Sequence, residues 1–123
     1  MLPRNAPEYG GFRSGITSET IRNLNRQFGG STTITGHPSS ALAAASRQTG
    51  FWKKVAAIVR EVAGRHMFND ANKRTATAIV NELRRRNGVV TGVEGAQLRR
   101  VIHRIATGEL RTIEEIARAL RGF

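Results

Sequence analysis

The run His66-Met67-Phe68-Asn69-Asp70-Ala71-Asn72-Lys73-Arg74-Thr75-Ala76 is a polar cluster set between two segments of helical period. Upstream, Val55, Ile58, Val59 and Val62 recur at helix spacing within residues 51–64, and downstream Ala76, Ile79, Val80 and Leu83 repeat the pattern. The stretch between them is therefore expected to be a short loop feeding the N-terminus of the second helix. Free backbone N–H groups and the helix dipole favour an anion at such an end. The spacing predicts a phosphate cradle with a histidine beside it.

Each polar residue of the run has a side chain suited to phosphate chemistry. His66 carries the group that most often acts as a general base. Asp70 is the only aspartate in the chain, and a carboxylate beside phosphates is the usual protein ligand for Mg2+. Asn72, Lys73 and Arg74 open the helix, where they add an amide, a point charge and a bidentate fork to the backbone donors. Phe68 is expected to pack beneath the loop. Composition alone leaves a plainer reading open, in which His66 and Asp70 fix the loop locally and the cations form a solvated helix start.

Residues 66 to 74 also match the pattern His-x-Phe-x-(Asp/Glu)-(Ala/Gly)-Asn-(Gly/Lys)-Arg at every specified place. The run resembles the signature of the Fic/Doc family. Lys73 stands where the Fic branch usually has Gly, and Thr77 where it has a second Arg, so the chain resembles the Doc-type branch more closely. The likeness continues through Arg85-Arg86-Asn87-Gly88-Val89 and Ala106-Thr107-Gly108-Glu109. It covers roughly the second half of the chain and only loosely the first.

The resemblance implies an all-α helical bundle with a small β-hairpin flap. It implies a toxin that uses ATP and Mg2+ to modify a hydroxyl on a target protein. Fic-type members transfer AMP, whereas a Doc-type member transfers the terminal phosphate, with elongation factor Tu as target and a block of translation as outcome. Carried over by position, His66 becomes the catalytic base and Asp70 the metal ligand. Ala71, Asn72, Lys73 and Arg74 become the ligands of the nucleotide phosphates. Two other readings stand beside phosphate transfer: AMP transfer to a protein hydroxyl, and a non-catalytic binding or regulatory protein of the same fold.

Many relatives restrain themselves with an inhibitory helix, (Ser/Thr)-x-x-x-Glu-(Gly/Asn). Glu94-Gly95 comes closest here, but Val90 occupies the Ser/Thr place. A separate antitoxin or immunity protein is therefore expected as partner. The resemblance places the site of action in the bacterial cytoplasm, with delivery as the tip of a secreted effector as one route.

The chain's 123 residues suit one domain. Twenty Lys and Arg against nine acids give a net charge of +11, which attracts anions without specifying any, so no sequence-specific nucleic-acid binding is expected. Runs such as Arg84-Arg85-Arg86 read as solvated helix faces. The absence of cysteine rules out thiol catalysis and a disulfide scaffold. No apolar run is long enough to span a bilayer, so no membrane partner is expected.

Residues 1–15, with two of the three prolines, read as a flexible lead-in, and 16–123 as the toxin domain. Thr17 or Ser18 should cap a first helix over Ile21, Leu24 and Phe28, ended by Gly29-Gly30. Residues 31–35 have strand composition and mark the expected flap. His37 follows in a loop. An alanine-rich helix over 39–48 precedes the Phe51 helix, where Phe51 and Trp52 read as core. After Gly88, a helix bearing Leu98, Val101, Ile102 and Ile105 should leave His103 exposed. Thr112-Ile113-Glu114-Glu115 reads as a capping box opening the last helix.

Overall fold

The computed structural model describes residues 6–122. Among these residues a turn of 3-10 helix, Pro7–Tyr9, precedes six α-helices: α1 Ser18–Gln27, α2 Pro38–Ser46, α3 Phe51–Val59, α4 Asn72–Asn87, α5 Gly95–Ala106 and α6 Ile113–Arg121. The all-α expectation holds. Val55, Ala56, Ala57, Ile58 and Val59 are all buried, a pattern a helix shows only when neighbours cover it all round. α2, α4 and α6 supply that cover around α3. No described helix is long and apolar enough to cross a membrane.

Local sequence explains the helix ends. Thr17 caps α1 by accepting from the Thr20 N–H, and the Thr20 hydroxyl returns a bond to the Thr17 backbone. Thr112 and Glu115 make the same reciprocal pair at α6. Gly88, at φ 63°, closes α4, and the Val89 N–H reaches back to the Arg84 carbonyl at 3.0 Å. Phe51 and Trp52 pack against the core as expected, Phe51 with its ring edge-on to Phe12 at 5.8 Å.

The helix that starts at Phe51 does reach Gly64, but its last turn, Arg60–Gly64, is wound as π-helix. The Arg65 N–H bonds the Arg60 carbonyl and the Met67 N–H the Val62 carbonyl, each five residues back. This wider turn delivers the chain to His66.

Three expectations are corrected. The first concerns the lead-in, whose described residues pack on the bundle: Ala6, Gly10 and Phe12 are buried, while Pro7, Glu8 and Arg13 are exposed. Asn87 ties the segment to α4, accepting from the Ser14 N–H at 2.9 Å and donating to the Ser14 carbonyl at 2.9 Å. Residues 1–5 lie outside the described residues. Second, residues 31–35 form no hairpin. They make a single antiparallel bridge, Thr33 to Phe68, because the loop supplies their partners: Met67 O accepts from the N–H groups of Ile34 and Thr35, and Thr32 O from that of Asn69. Pro38 starts α2 too soon for a returning strand.

Third, Arg84 is not solvated. It is buried at 8% exposure and donates to Glu94 at 3.0 Å. Arg85 and Arg86 do face solvent and share Glu82 at 2.5 and 2.6 Å. The hydrogen bond from Arg85, then that from Arg86, holds the Glu82 carboxyl below its usual range.

If residues 6–15 belong to the core, Phe12→Ala removes a fully enclosed ring and should cost about 3–5 kcal/mol in urea unfolding. A loss below about 1 kcal/mol would mean the segment is only draped over the bundle.

Candidate active site

A loop of residues 65–71 joins the π turn to α4, and it is held by side-chain amides. Asn72 accepts from the Phe68 N–H at 2.8 Å and donates to the Phe68 carbonyl at 2.9 Å. Asn69 accepts from the N–H groups of Ser31 and Thr32 at 2.9 and 3.1 Å. From α1, the fully buried Asn25 donates to the Asp70 carbonyl at 2.9 Å and to Thr75 Oγ1 at 3.1 Å. Phe68, as expected, is buried beneath the loop. Two non-glycine residues, His66 at φ 52° and Ala71 at φ 61°, take left-handed backbone. Such residues cost about 1–3 kcal/mol each and persist only where their surroundings over-determine them.

The loop opens on a cleft of about 570 Å³ lined by Phe28, His66 and residues 69–74. All six residues singled out from the sequence therefore line one concavity. The first backbone bond of α4 runs from the Thr75 N–H to the Ala71 carbonyl at 2.9 Å. Residues 72–74 are left with their N–H groups at the open end of the helix. Lys73 and Arg74 are exposed and make no ion pair among the described residues.

Two of the expected phosphate ligands are already engaged elsewhere. The Ala71 N–H donates to Asp70 Oδ1 at 2.7 Å, and the Asn72 amide is bound to Phe68, as described. What these two residues present to an anion is the geometry of the turn, together with the Asn72 backbone N–H. The Lys73 and Arg74 side chains remain free. Asp70 keeps its second carboxylate oxygen, and among the described residues no group of three His, Cys, Asp or Glu side chains gathers at a metal site. A divalent ion at Asp70 would therefore draw its remaining ligands from phosphate and water, which suits Mg2+.

His66 is oriented from across the bundle. Its Nε2 lies 3.1 Å from the Ala106 carbonyl at the end of α5. A carbonyl only accepts, so Nε2 carries a hydrogen, and in the neutral ring Nδ1 is then the nitrogen with the lone pair. Nδ1 is therefore the ring nitrogen left to act as a base.

Sequence reading missed Asn25, Asn69 and Phe28. Asn25 lies on the Ile21 face of α1, one turn on, but a lone asparagine carries no periodic signal. Asn69 occupies an unspecified place within the motif. His103 is exposed as expected, yet it lies beside a second cavity with Lys73 and Arg74. His37, at the N-cap of α2, is exposed and lines neither cavity.

The α-helical bundle thus sets a histidine in one cleft with the open first turn of a helix and the two exposed cations on it. The family model described as Fic/DOC family matches residues 6–83, and the chain belongs to that family. The match begins well before the motif, in the segment now seen packed on the core. No curated protein and no solved structure matches the chain.

Asn25→Ala should cost about 1–3 kcal/mol in unfolding, because the buried Thr75 hydroxyl and the part-buried Asp70 carbonyl both lose a donor. The tautomer is checked by 15N NMR of the neutral ring: Nε2 of His66 should give the protonated and Nδ1 the unprotonated shift. The reverse pattern would mean the ring does not donate to Ala106.

Proposed function

We propose that this chain is a toxin that transfers the terminal phosphate of ATP to a hydroxyl of a target protein, elongation factor Tu being the first candidate by family analogy. The observation that supports it most is the single cleft that His66 shares with the open end of α4. Lys73, in place of the glycine of AMP-transferring relatives, supports phosphate transfer over AMP transfer.

In this reading the target hydroxyl gives its proton to His66 Nδ1 as its oxygen attacks the terminal phosphorus. The bond to the bridging oxygen breaks and ADP leaves. Lys73, Arg74 and the first-turn N–H groups of α4 hold the phosphates, and positioning plus charge neutralisation supplies most of the acceleration. Mg2+, held through Asp70, would neutralise charge on the phosphates.

The inhibitory pattern is absent from the sequence, and Glu94, its nearest approach, is bound to Arg84. Restraint is therefore assigned to a separate antitoxin or immunity protein covering the cleft. The site of action is the bacterial cytoplasm, reached from within the producing cell or as the tip of a delivered effector.

Intact mass spectrometry of elongation factor Tu after incubation with ATP and the chain tests this. A gain of about 80 Da signals phosphate and one of about 329 Da signals AMP. His66→Ala should slow the transfer by about 10²- to 10⁴-fold. A bacterial lysate in which no protein gains either mass would overturn the enzymatic reading.

A further inference from the structure

The acceptor that holds His66 exists only because α5 stops where it does. In a helix carried one turn further, the Leu110 N–H would bond the Ala106 carbonyl, four residues back. Here Gly108, at φ 83°, reverses the chain. The Gly108 N–H reaches the Ile105 carbonyl at 3.1 Å, and the N–H groups of Glu109 and Leu110 reach that of Arg104 at 2.9 and 3.1 Å. This is the closing motif that a left-handed glycine makes possible. It passes over the Ala106 carbonyl, which is left to accept from His66 Nε2 at 3.1 Å. The His66 ring has no other partner among the described residues.

The turn is itself fixed from both sides. Leu110 is buried at its far end, Arg104 pairs with Glu109 across it, and the Arg111 Nε–H donates to the Gly108 carbonyl at 2.7 Å. On the near side, a Cβ on Gly64 of the π turn would lie 3.4 Å from Ile105, so the two elements meet with little space between them. The π turn brings His66 to the end of α5, and the glycine turn supplies a carbonyl that no backbone donor claims.

We propose that the closing turn of α5 is part of the catalytic apparatus and that Gly108 is its positioning residue, setting which nitrogen of His66 is left to act as base. The inference rests on the role given above to His66 and deepens it. When the target hydroxyl passes its proton to Nδ1, the ring carries a hydrogen on both nitrogens and a positive charge. The Ala106 carbonyl then accepts from a charged donor, in a bond roughly twice as strong as a neutral one. It also belongs to the end of α5 whose unpaired carbonyls carry partial negative charge. The turn thus does for this imidazole what a carboxylate does in a Ser-His-Asp triad: it fixes the tautomer before the proton moves and meets the charge afterwards.

Long-range 1H–15N spectra of the intact chain read the ring directly, with the exposed and unpartnered His37 and His103 as references for an unrestrained imidazole. In wild type the neutral His66 ring should show Nε2 and Nδ1 shifts further apart than in either reference. Gly108→Val imposes a branched side chain on a left-handed residue, and the His66 shifts should move to those of the references. The kcat of the transfer should fall roughly 10- to 100-fold, with KM for Mg-ATP within about twofold. Gly108→Asn, whose side chain tolerates this conformation, should keep most of both. Gly88→Val imposes the same strain at φ 63°, at the far end of α4 from His66, and should change neither. If Gly108→Val does not fold, Gly108→Ala takes its place, since its Cβ meets only Arg111, at 3.6 Å.

Unmoved His66 shifts in a folded Gly108→Val or Gly108→Ala chain, or an equal loss of kcat in Gly88→Val, would overturn the positioning role and leave the proposed transfer standing. A wild-type chain that shows the expected shifts yet modifies no protein would overturn the transfer, and with it the catalytic use of the turn.

Discussion

Three asparagine side chains hold the loop between α3 and α4 in a backbone shape it would not keep alone. Asn72 closes a ring with both polar groups of Phe68, Asn69 fastens residues 31 and 32, and Asn25 reaches from α1 to the Asp70 carbonyl. An amide suits this work because it donates and accepts at once, as a backbone unit does, and so can substitute for the missing partner of an irregular turn. Without that bracing, the left-handed conformations at His66 and Ala71 would relax, and the histidine would no longer share a cleft with the helix start.

The same bracing explains features elsewhere in the chain. A Cβ on Gly30 would come within 2.0 Å of Asn25 Oδ1, so glycine is required there for a reason beyond ending α1. Asn25 Oδ1 is itself buried without a partner. The net of two donated bonds and one orphaned acceptor shows that the amide is placed for the loop and not for its own satisfaction. The Thr33–Phe68 bridge has a similar logic: the segment expected to form a hairpin is used as a second rail for the loop.

Helices were legible because their signals are periodic and local. The capping threonines, the Gly88 stop and the apolar stripes of α4, α5 and α6 all sit within a few residues of the structure they cause. The motif residues were legible as a set for the same reason, being contiguous. What stayed hidden depends on partners distant in sequence. Asn25 acts on residues 45 and 50 positions away, and Ser14 is tied to Asn87 across 73. A proline-rich start and a run of three arginines look solvated until the third dimension supplies Asn87 and Glu94. The second cavity is formed by α1, α4 and α5 jointly, and no single stretch announces it.

Arg84 shows how the fold fastens Glu94 at the far end of α4 from the site. The guanidinium is buried and its Nε has no partner, so most of its compensation comes from Glu94 and from the weaker, longer approaches to the Val90 and Val93 carbonyls at 3.4 and 3.5 Å. Removing one partner of such a pair leaves an ion that the interior stabilises poorly, even though the exposed Glu94 itself would lose little. Glu94 is thereby kept at the start of α5, three turns of α4 away from Lys73 and Arg74. The cations at the helix start stay unpaired among the described residues, which leaves the open first turn of α4 with positive charge and no acid of the described chain bound to it.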